Sequence, residues 1–165
     1  MKLFKAFFVV VFALVVLSGC ASGPKFNEIE SKIPPIKSSE GRIYFYRDAS
    51  LFGAGIQPSI RLNNGIIGVS KPGGFFYVDT KPGKHEVSCA TEVERKAVFT
   101  LDAGQTRYIK TTIGLGIVAG RVYPELVDNK LGDKEVREIS YIGDKMAEYI
   151  KQAKAEEKEA EKDDY

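Results

Sequence analysis

The sequence predicts an all-β chain: a single antiparallel β-sandwich carried between a cleaved N-terminal leader and a charged C-terminal helix or tail. Three observations predict it. Short runs of alternating, β-branched and aromatic residues recur with a turn signal roughly every ten residues. Sixteen Gly and seven Pro, with no Trp, supply those turns. The last 22 residues then switch to a charge-rich, helical pattern. The chain has 165 residues, 44% hydrophobic and 28% charged, which suits one ordinary domain plus attachments. Lys and Arg number 24 against 22 Asp and Glu, so a formal charge of +2 argues against a nucleic-acid partner. Two Cys exclude a disulfide scaffold, and the composition excludes collagen and wholesale disorder.

The leader comes first. Lys2 and Lys5 precede an unbroken apolar run of twelve residues, 6–17. A charged start ahead of a short apolar core is the pattern of a secretory signal. Twelve residues are too few for a spanning helix, which takes about 20; a buried core helix is the alternative. Leu17-Ser18-Gly19-Cys20 stands where the run ends and resembles the lipobox of bacterial lipoproteins. The resemblance implies a signal peptide over residues 1–19, cleavage before Cys20, and a diacylglyceryl group on the Cys20 sulfur. It also implies that the freed amine is open to acylation, with palmitate a typical chain. Cys suits the alkylation because its thiolate is the nucleophile. One acyl chain binds a membrane marginally, at about 0.8 kcal/mol per buried CH₂, whereas two or three hold firmly. Cleavage there removes Lys2 and Lys5 and leaves 146 residues with 22 basic and 22 acidic side chains. The anchor is then the lipid and not a basic patch. Ala21, where an Asp would retain an enteric lipoprotein in the inner membrane, resembles outer-membrane sorting. The expected address is the cell envelope, on the outer membrane facing the periplasm. With Cys20 lipidated, Cys89 has no intrachain partner and no disulfide is expected.

Residues 20–40 read as the lipidated Cys and a flexible tether. Gly23-Pro24, Pro34-Pro35 and Ser38-Ser39 interrupt isolated apolar residues. Such a coil spans roughly 25 Å; packing of Ile29, Ile33 and Ile36 on the domain is the alternative. Residues 41–143 are the expected sandwich. Over 42–47, Ile43 and Phe45 alternate with Tyr44 and Tyr46. Strands at 59–63 and 66–69 flank Asn64-Gly65, a dipeptide suited to a type I′ hairpin. Lys71-Pro72-Gly73-Gly74 turns into an aromatic and β-branched strand at 75–80. Lys81-Pro82-Gly83 turns again into 84–91. Strands at 95–101 and 106–113 follow, separated by Asp102-Ala103-Gly104, and 120–127 and 134–139 close the set. In the tail, residues 144–165, Met146, Tyr149, Ile150 and Ala153 form one stripe at helical spacing. Beyond it lie only charges, in a solvated helix or a disordered tail of net charge −3.

Few residues carry recognisable chemistry. Gly114-Leu-Gly-Ile-Val-Ala-Gly120 suggests a phosphate loop, but Pro124 would break the helix that such a loop requires. An apolar loop between strands, or one dipping into a membrane, are the other readings. His85, Val87 and Cys89 share one strand face, and His85 and Cys89 at i,i+4 lie ~13 Å apart, too far to act as a pair. No metal, cofactor or catalytic constellation is expected, and an enzyme is not. The most suggestive set is aromatic. Tyr44, Tyr46 and Tyr77 beside Arg42, Arg47 and Arg121 would make an exposed face for a protein, glycan or lipid. The alternative is two-sided packing with the hydroxyls at the rim.

Gly41-Arg-Ile-Tyr-Phe-Tyr-Arg47, Lys71-Pro-Gly-Gly-Phe-Phe-Tyr-Val-Asp79, Pro82-Gly-Lys-His-Glu-Val87 and Gly120-Arg-Val-Tyr-Pro-Glu-Leu-Val127 resemble the bacterial lipoprotein family known as domain of unknown function 2846. The Pro-Gly-x-x-x-Val unit is also similar to PEGA and carboxypeptidase-regulatory modules. The resemblance implies a prealbumin-like or Ig-like sandwich and assigns no activity, so no catalytic residue follows from it. The function expected is a non-catalytic interaction or scaffolding module, held at the membrane by Cys20 and meeting an envelope protein partner. A glycan- or lipid-binding module using the Tyr/Arg face is the alternative.

Overall fold

A computed structural model of the chain describes residues 21–117 and 120–163; the leader and Cys20 lie outside the described residues. Nine strands are present among those residues: β1 (Gly41–Tyr46), β2 (Ser59–Leu62), β3 (Gly65–Val69), β4 (Gly74–Thr80), β5 (Gly83–Ala90), β6 (Glu94–Leu101), β7 (Thr106–Gly114), β8 (Arg121–Val127) and β9 (Ser140–Tyr141). They form a five-stranded sheet ordered β8-β7-β1-β4-β9 and a four-stranded sheet ordered β3-β2-β5-β6. The sheets close on one apolar core. Ile43, Phe45, Phe76, Ile109 and Val122 meet Ile60, Leu62, Val87, Cys89, Phe99 and Leu101 there. Phe45 and Phe76 stack across β1 and β4 at 5.2 Å between centroids.

The sandwich is not wholly antiparallel. β7 runs parallel to β1, pairing Arg42 with Thr106 through Tyr46 with Lys110, and β9 runs parallel to β4. One edge of β1 is taken by the antiparallel β4. The chain reaches the other edge only after passing through β2–β6, and long crossovers of that kind permit parallel pairing.

A helical layer covers the outer face of the five-stranded sheet. It consists of α1 (Phe26–Ile29), a 3₁₀ turn at Glu30–Lys32, and α2 (Asn129–Glu138). Phe26, Ile29, Val136 and Ile139 pack there on Tyr44, Tyr46, Phe75 and Tyr108 as a second core. Every residue of β1 is therefore buried. A strand covered on both faces needs apolar or aromatic side chains at consecutive positions, and Ile43-Tyr44-Phe45-Tyr46 supplies them.

Two expectations are corrected in this layer. The strand expected at 134–139 is the second half of α2. Asp128 caps that helix through Oδ1, accepting from the amides of Lys130 (2.9 Å) and Leu131 (3.3 Å). Its buried positions, Gly132 and Val136, stand at i,i+4. The residues expected to be a tether are, from Ala21 onward, folded onto the domain. Lys25 N–H donates to Glu28 Oε2 at 2.8 Å and opens α1, which buries Phe26 and Ile29.

The β2–β3 hairpin turns one residue earlier than expected. Asn63 and Asn64 have φ of 49° and 70°, the pair of left-handed residues that a type I′ turn requires, and Gly65 already belongs to β3. After a 3₁₀ turn at Gly143–Lys145, α3 (Met146–Asp163) lays Met146, Tyr149, Ile150 and Ala153 along the edge of the main core. Gly68 on β3 admits it, because a Cβ there would meet Phe76 and the Met146 sulfur at about 2.5 Å and 2.6 Å.

Candidate functional site

Side chains on a strand alternate between faces, so Arg42, Tyr44 and Tyr46 leave β1 together on its outer face. Register places Tyr44 opposite Tyr77 on β4 and Tyr108 on β7. The rings form a layer: Tyr44 stacks on Tyr108 at 5.1 Å and meets Tyr77 at 5.7 Å, and Tyr77 stacks on Tyr141 at 6.1 Å. Pairs of this kind add ~0.5–1.5 kcal/mol each beyond the area they bury. The layer faces away from the sandwich, as alternation requires, but α1 and α2 lie over it. Tyr44 and Tyr46 are buried beneath them. The exposed Tyr/Arg face expected from the sequence is therefore not formed.

Arg42, Tyr46, Lys110 and Glu135 at this layer each have a structural partner. Arg42 Nε and Nη2 donate to the two carboxylate oxygens of Asp79, both at 2.7 Å, and Nη2 also donates to the Pro34 carbonyl at 2.9 Å. Its guanidinium lies 4.4 Å from the centre of the Tyr77 ring. The bond to Asp79 raises the Arg42 pKa further above its ordinary value, outweighing burial. The Tyr46 hydroxyl donates to Glu135 Oε2 at 2.6 Å. Lys110 Nζ bridges Glu135 Oε1 (3.0 Å) and Asp48 Oδ2 (2.7 Å). Burial works to raise the Glu135 carboxyl, but the bonds from Tyr46 and Lys110 prevail and hold it below the usual carboxylate range. Tyr46 is raised, by burial first and then by Glu135.

Arg47 faces the opposite way and is buried. It gathers the β1–β2 loop by donating to the carbonyls of Ile56 (2.6 Å), Gly53 (2.8 Å) and Phe52 (3.4 Å), and reaches the end of β3 through the Ser70 carbonyl (3.4 Å). Burial alone lowers its pKa. Arg121, at the start of β8, donates from Nε to Glu92 Oε1 at 2.8 Å, and the Ile117 amide donates to the same oxygen at 3.0 Å. Arg42, Arg47 and Arg121 thus serve three separate places and do not converge.

His85 and Cys89 are also committed to the fold. Asn63 Oδ1 accepts from the Glu86 amide at 3.0 Å, which orients the side-chain amide so that Nδ2 donates to His85 Nδ1 at 2.9 Å. His85 Nε2 then donates to the Lys81 carbonyl at 2.9 Å. Cys89 is sealed in the core, and burial pushes its thiol up to about 12. Among the described residues, no group of three or more His, Cys, Asp and Glu is placed to hold a metal ion.

Among the described residues, two clefts exceed about 400 Å³. One of about 620 Å³ lies between α3 and the β3 edge, lined in part by Gln57, Lys71, Thr91, Tyr149 and Glu156. One of about 450 Å³ lies between α1 and the end of the tyrosine layer, lined by Ile29, Lys32, Ile33, Tyr77, Tyr141 and Asp144 among others. The second could admit a flat apolar group against two tyrosyl rings. Its lining residues include no His, Cys or Ser.

The feature that sequence reasoning held only as an alternative is the attachment of the N-terminal segment. The Ala21 amide donates to the Pro72 carbonyl at 2.8 Å, and the Tyr141 amide donates to the Pro24 carbonyl at 2.8 Å. Lys145 Nζ donates to Ser22 O (3.0 Å) and Oγ (3.1 Å). Lys25 bridges Ser140, so the segment pairs with the same short strand that closes the sheet. The signal was the spacing of Phe26, Ile29 and Ile33, one helical face whose partner is distant in sequence.

These features define a class: a mostly β protein of two stacked sheets with a few short helices, whose buried polar groups brace its loops and helical cover. Within that class the chain belongs to the family described as protein of unknown function (DUF2846), which it matches over residues 37–122. A relative from Haemophilus influenzae, described as an uncharacterized protein, is 28% identical over 137 residues, 79% of this chain and 80% of its own length. No solved structure matches the chain.

Proposed function

We propose that this chain is a lipid-anchored cell-envelope lipoprotein whose sandwich is a non-catalytic interaction or scaffolding module. It is acylated on Cys20 and held at the outer membrane facing the periplasm. The observation that carries the reading is the series of Lys2 and Lys5, the apolar run 6–17, and Leu17-Ser18-Gly19-Cys20 where that run ends. The Ala21–Pro72 hydrogen bond supports it, since the fold accepts the chain from the first residue after Cys20. Among the described residues no helix is long and apolar enough to cross a membrane, so a lipid on Cys20 would supply the attachment. The engagement of His85, Cys89, Arg42 and Arg47 in internal contacts supports a non-catalytic role.

Metabolic labelling with an alkynyl palmitate tests the anchor. Incorporation in the wild type and its loss in Cys20→Ala are expected; equal labelling of both overturns it. In-cell cross-linking with mass spectrometry then tests the module, with Cys20→Ala as the mislocalised control. A discrete protein captured only by the anchored form supports it, and the absence of any specific protein counts against it.

A further inference from the structure

The four most exposed large hydrophobic residues among those described are Ile117 (89% exposed), Leu51 (84%), Leu115 (82%) and Phe52 (58%). They come from two loops far apart in sequence, yet topology brings both to one end of the sandwich. β1 ends at Tyr46 and leads into the loop that carries Leu51 and Phe52. β7 runs parallel to β1 and ends at Gly114, so Leu115 and Ile117 leave from the same end. The two loops are in contact beneath their tips: a Cβ at Gly53 would lie 2.8 Å from the Ile113 side chain, and one at Gly120 about 2.5 Å from Ile56.

The chain emerges at this same end. β4 is antiparallel to β1 and begins here, and the turn before it holds Ala21 through the Pro72 carbonyl. Gly73 in that turn packs against Ala49 of the first loop, and Gly74 against Ala21. Ala21, which follows Cys20 in the sequence, is therefore held at this same end.

Both apolar tips stand on backbone that is tied down. Arg47 holds the carbonyls of Phe52, Gly53 and Ile56, and Glu92 accepts from the Ile117 amide. The acids beside them are matched by cations, Asp48 by Lys110 and Glu92 by Arg121. Exposed apolar side chains on braced loops, with their acids paired, suit an apolar phase beneath anionic headgroups.

We infer that this end of the sandwich is a membrane-docking surface. Leu51, Phe52, Leu115 and Ile117 enter the same lipid leaflet as the acyl chains on Cys20 and fix the orientation of the domain on the bilayer. The inference rests on the lipid anchor proposed above. It assigns the β2–β3 hairpin turn and the β6–β7 turn to the side away from the membrane, where a partner protein has access.

The test uses full-chain lipidated protein purified from cells, carrying Leu51→Cys, Ile117→Cys or, at the opposite end, Lys84→Cys. Each is labelled with a polarity-sensitive fluorophore; Cys89 is fully buried and stays unlabelled. The proteins are reconstituted into phosphatidylethanolamine and phosphatidylglycerol vesicles that contain lipid spin-labelled in the upper acyl chain. The expected result is blue-shifted emission at 51 and 117, quenched by the spin-labelled lipid several times more than at 84, while aqueous iodide quenches only position 84. If intact mass shows Cys20 acylated and iodide reaches all three positions equally, the docking surface is overturned and the anchor stands. If Cys20 carries no acyl group, the anchor reading falls, and the docking surface with it.

Discussion

Arg47 offers the sharpest test of how the loop end is built. Arg47→Met retains the unbranched stem and deletes the guanidinium. Two short bonds are lost, to Ile56 O at 2.6 Å and Gly53 O at 2.8 Å, with two longer ones to Phe52 O and Ser70 O at 3.4 Å. Hydrogen bonds from a charged donor contribute about 1.5–3 kcal/mol each. The two short ones therefore represent about 3–6 kcal/mol, against which stands the cost of keeping an Arg side chain out of water. That cost is visible in the lowered Arg47 pKa, which burial alone produces. The expected net loss is about 2–4 kcal/mol. At a urea slope of about 2 kcal/mol per molar, the midpoint falls by about 1–2 M. Without Trp, the transition is followed by far-ultraviolet dichroism and by the fluorescence of the eight Tyr. Hydrogen exchange should also show faster exchange at the amides of Ala54 and Ile56, which bond within this loop, and no change in β5. A midpoint within 0.3 M of wild type (less than about 1 kcal/mol), or unchanged exchange in the loop, would refute the role given to Arg47.

Three further outcomes are expected. Gly132→Ala raises helix propensity by about 1 kcal/mol, yet its Cβ would overlap Tyr108; it should lower the urea midpoint, and Gly132→Val more so, by about 1–3 kcal/mol, whereas a higher midpoint for the Ala variant means that α2 does not pack there. Glu135 is held below its unfolded pKa, so its contribution to stability is present above that unfolded value, about 4.3, and is lost as pH falls through the lower folded value. Glu135→Gln should accordingly reduce stability near neutrality and flatten the acid limb of a stability–pH profile, and parallel wild-type and variant profiles would contradict the Tyr46–Glu135–Lys110 arrangement. Cys89, with its thiol pushed up to about 12, should react with a disulfide reagent only as the protein unfolds in urea, and prompt labelling of native protein would place it outside the core.

Strands whose pattern is local were legible in the sequence. β1, β4 and β6 stand within a residue or two of their expected places because alternation and Pro-Gly turns act over a few residues. What was not legible depends on partners distant in the chain. The parallel pairing of β1 with β7 leaves no mark in either strand's own pattern. α2 was read as a strand because its described buried set is only Gly132 and Val136, too sparse for a helical stripe to stand out. α1 was read as tether because Phe26 and Ile29 gain their partners only from Tyr44 and Phe75. Those two misreadings bore on the tyrosines. With the helical cover unrecognised, alternation left Tyr44 and Tyr46 open to two readings, a binding face or two-sided packing, and the structure has the packing. The clue was in β1 itself: apolar or aromatic residues on both of its faces require a layer on each side.

The order in which the chain is made bears on how that fold is reached. β1 is the earliest strand and the central one of its sheet, yet its neighbours are β4 and β7, and the segment before it closes on Ser140, Tyr141 and Lys145. The first residues of the domain thus wait for nearly the last. Closing contacts at such separations is slow, because loop entropy is lost before the contacts that compensate it can form. A chain emerging from its N-terminus onward can form the β2–β3 and β5–β6 hairpins early. It must then carry the Ile43-Tyr44-Phe45-Tyr46 strand with one edge unpaired until β7 arrives and its outer face uncovered until α2 does. During that interval this strand is the part of the chain most open to wrong pairing, and a holdase that recognises extended aromatic segments would find its target there.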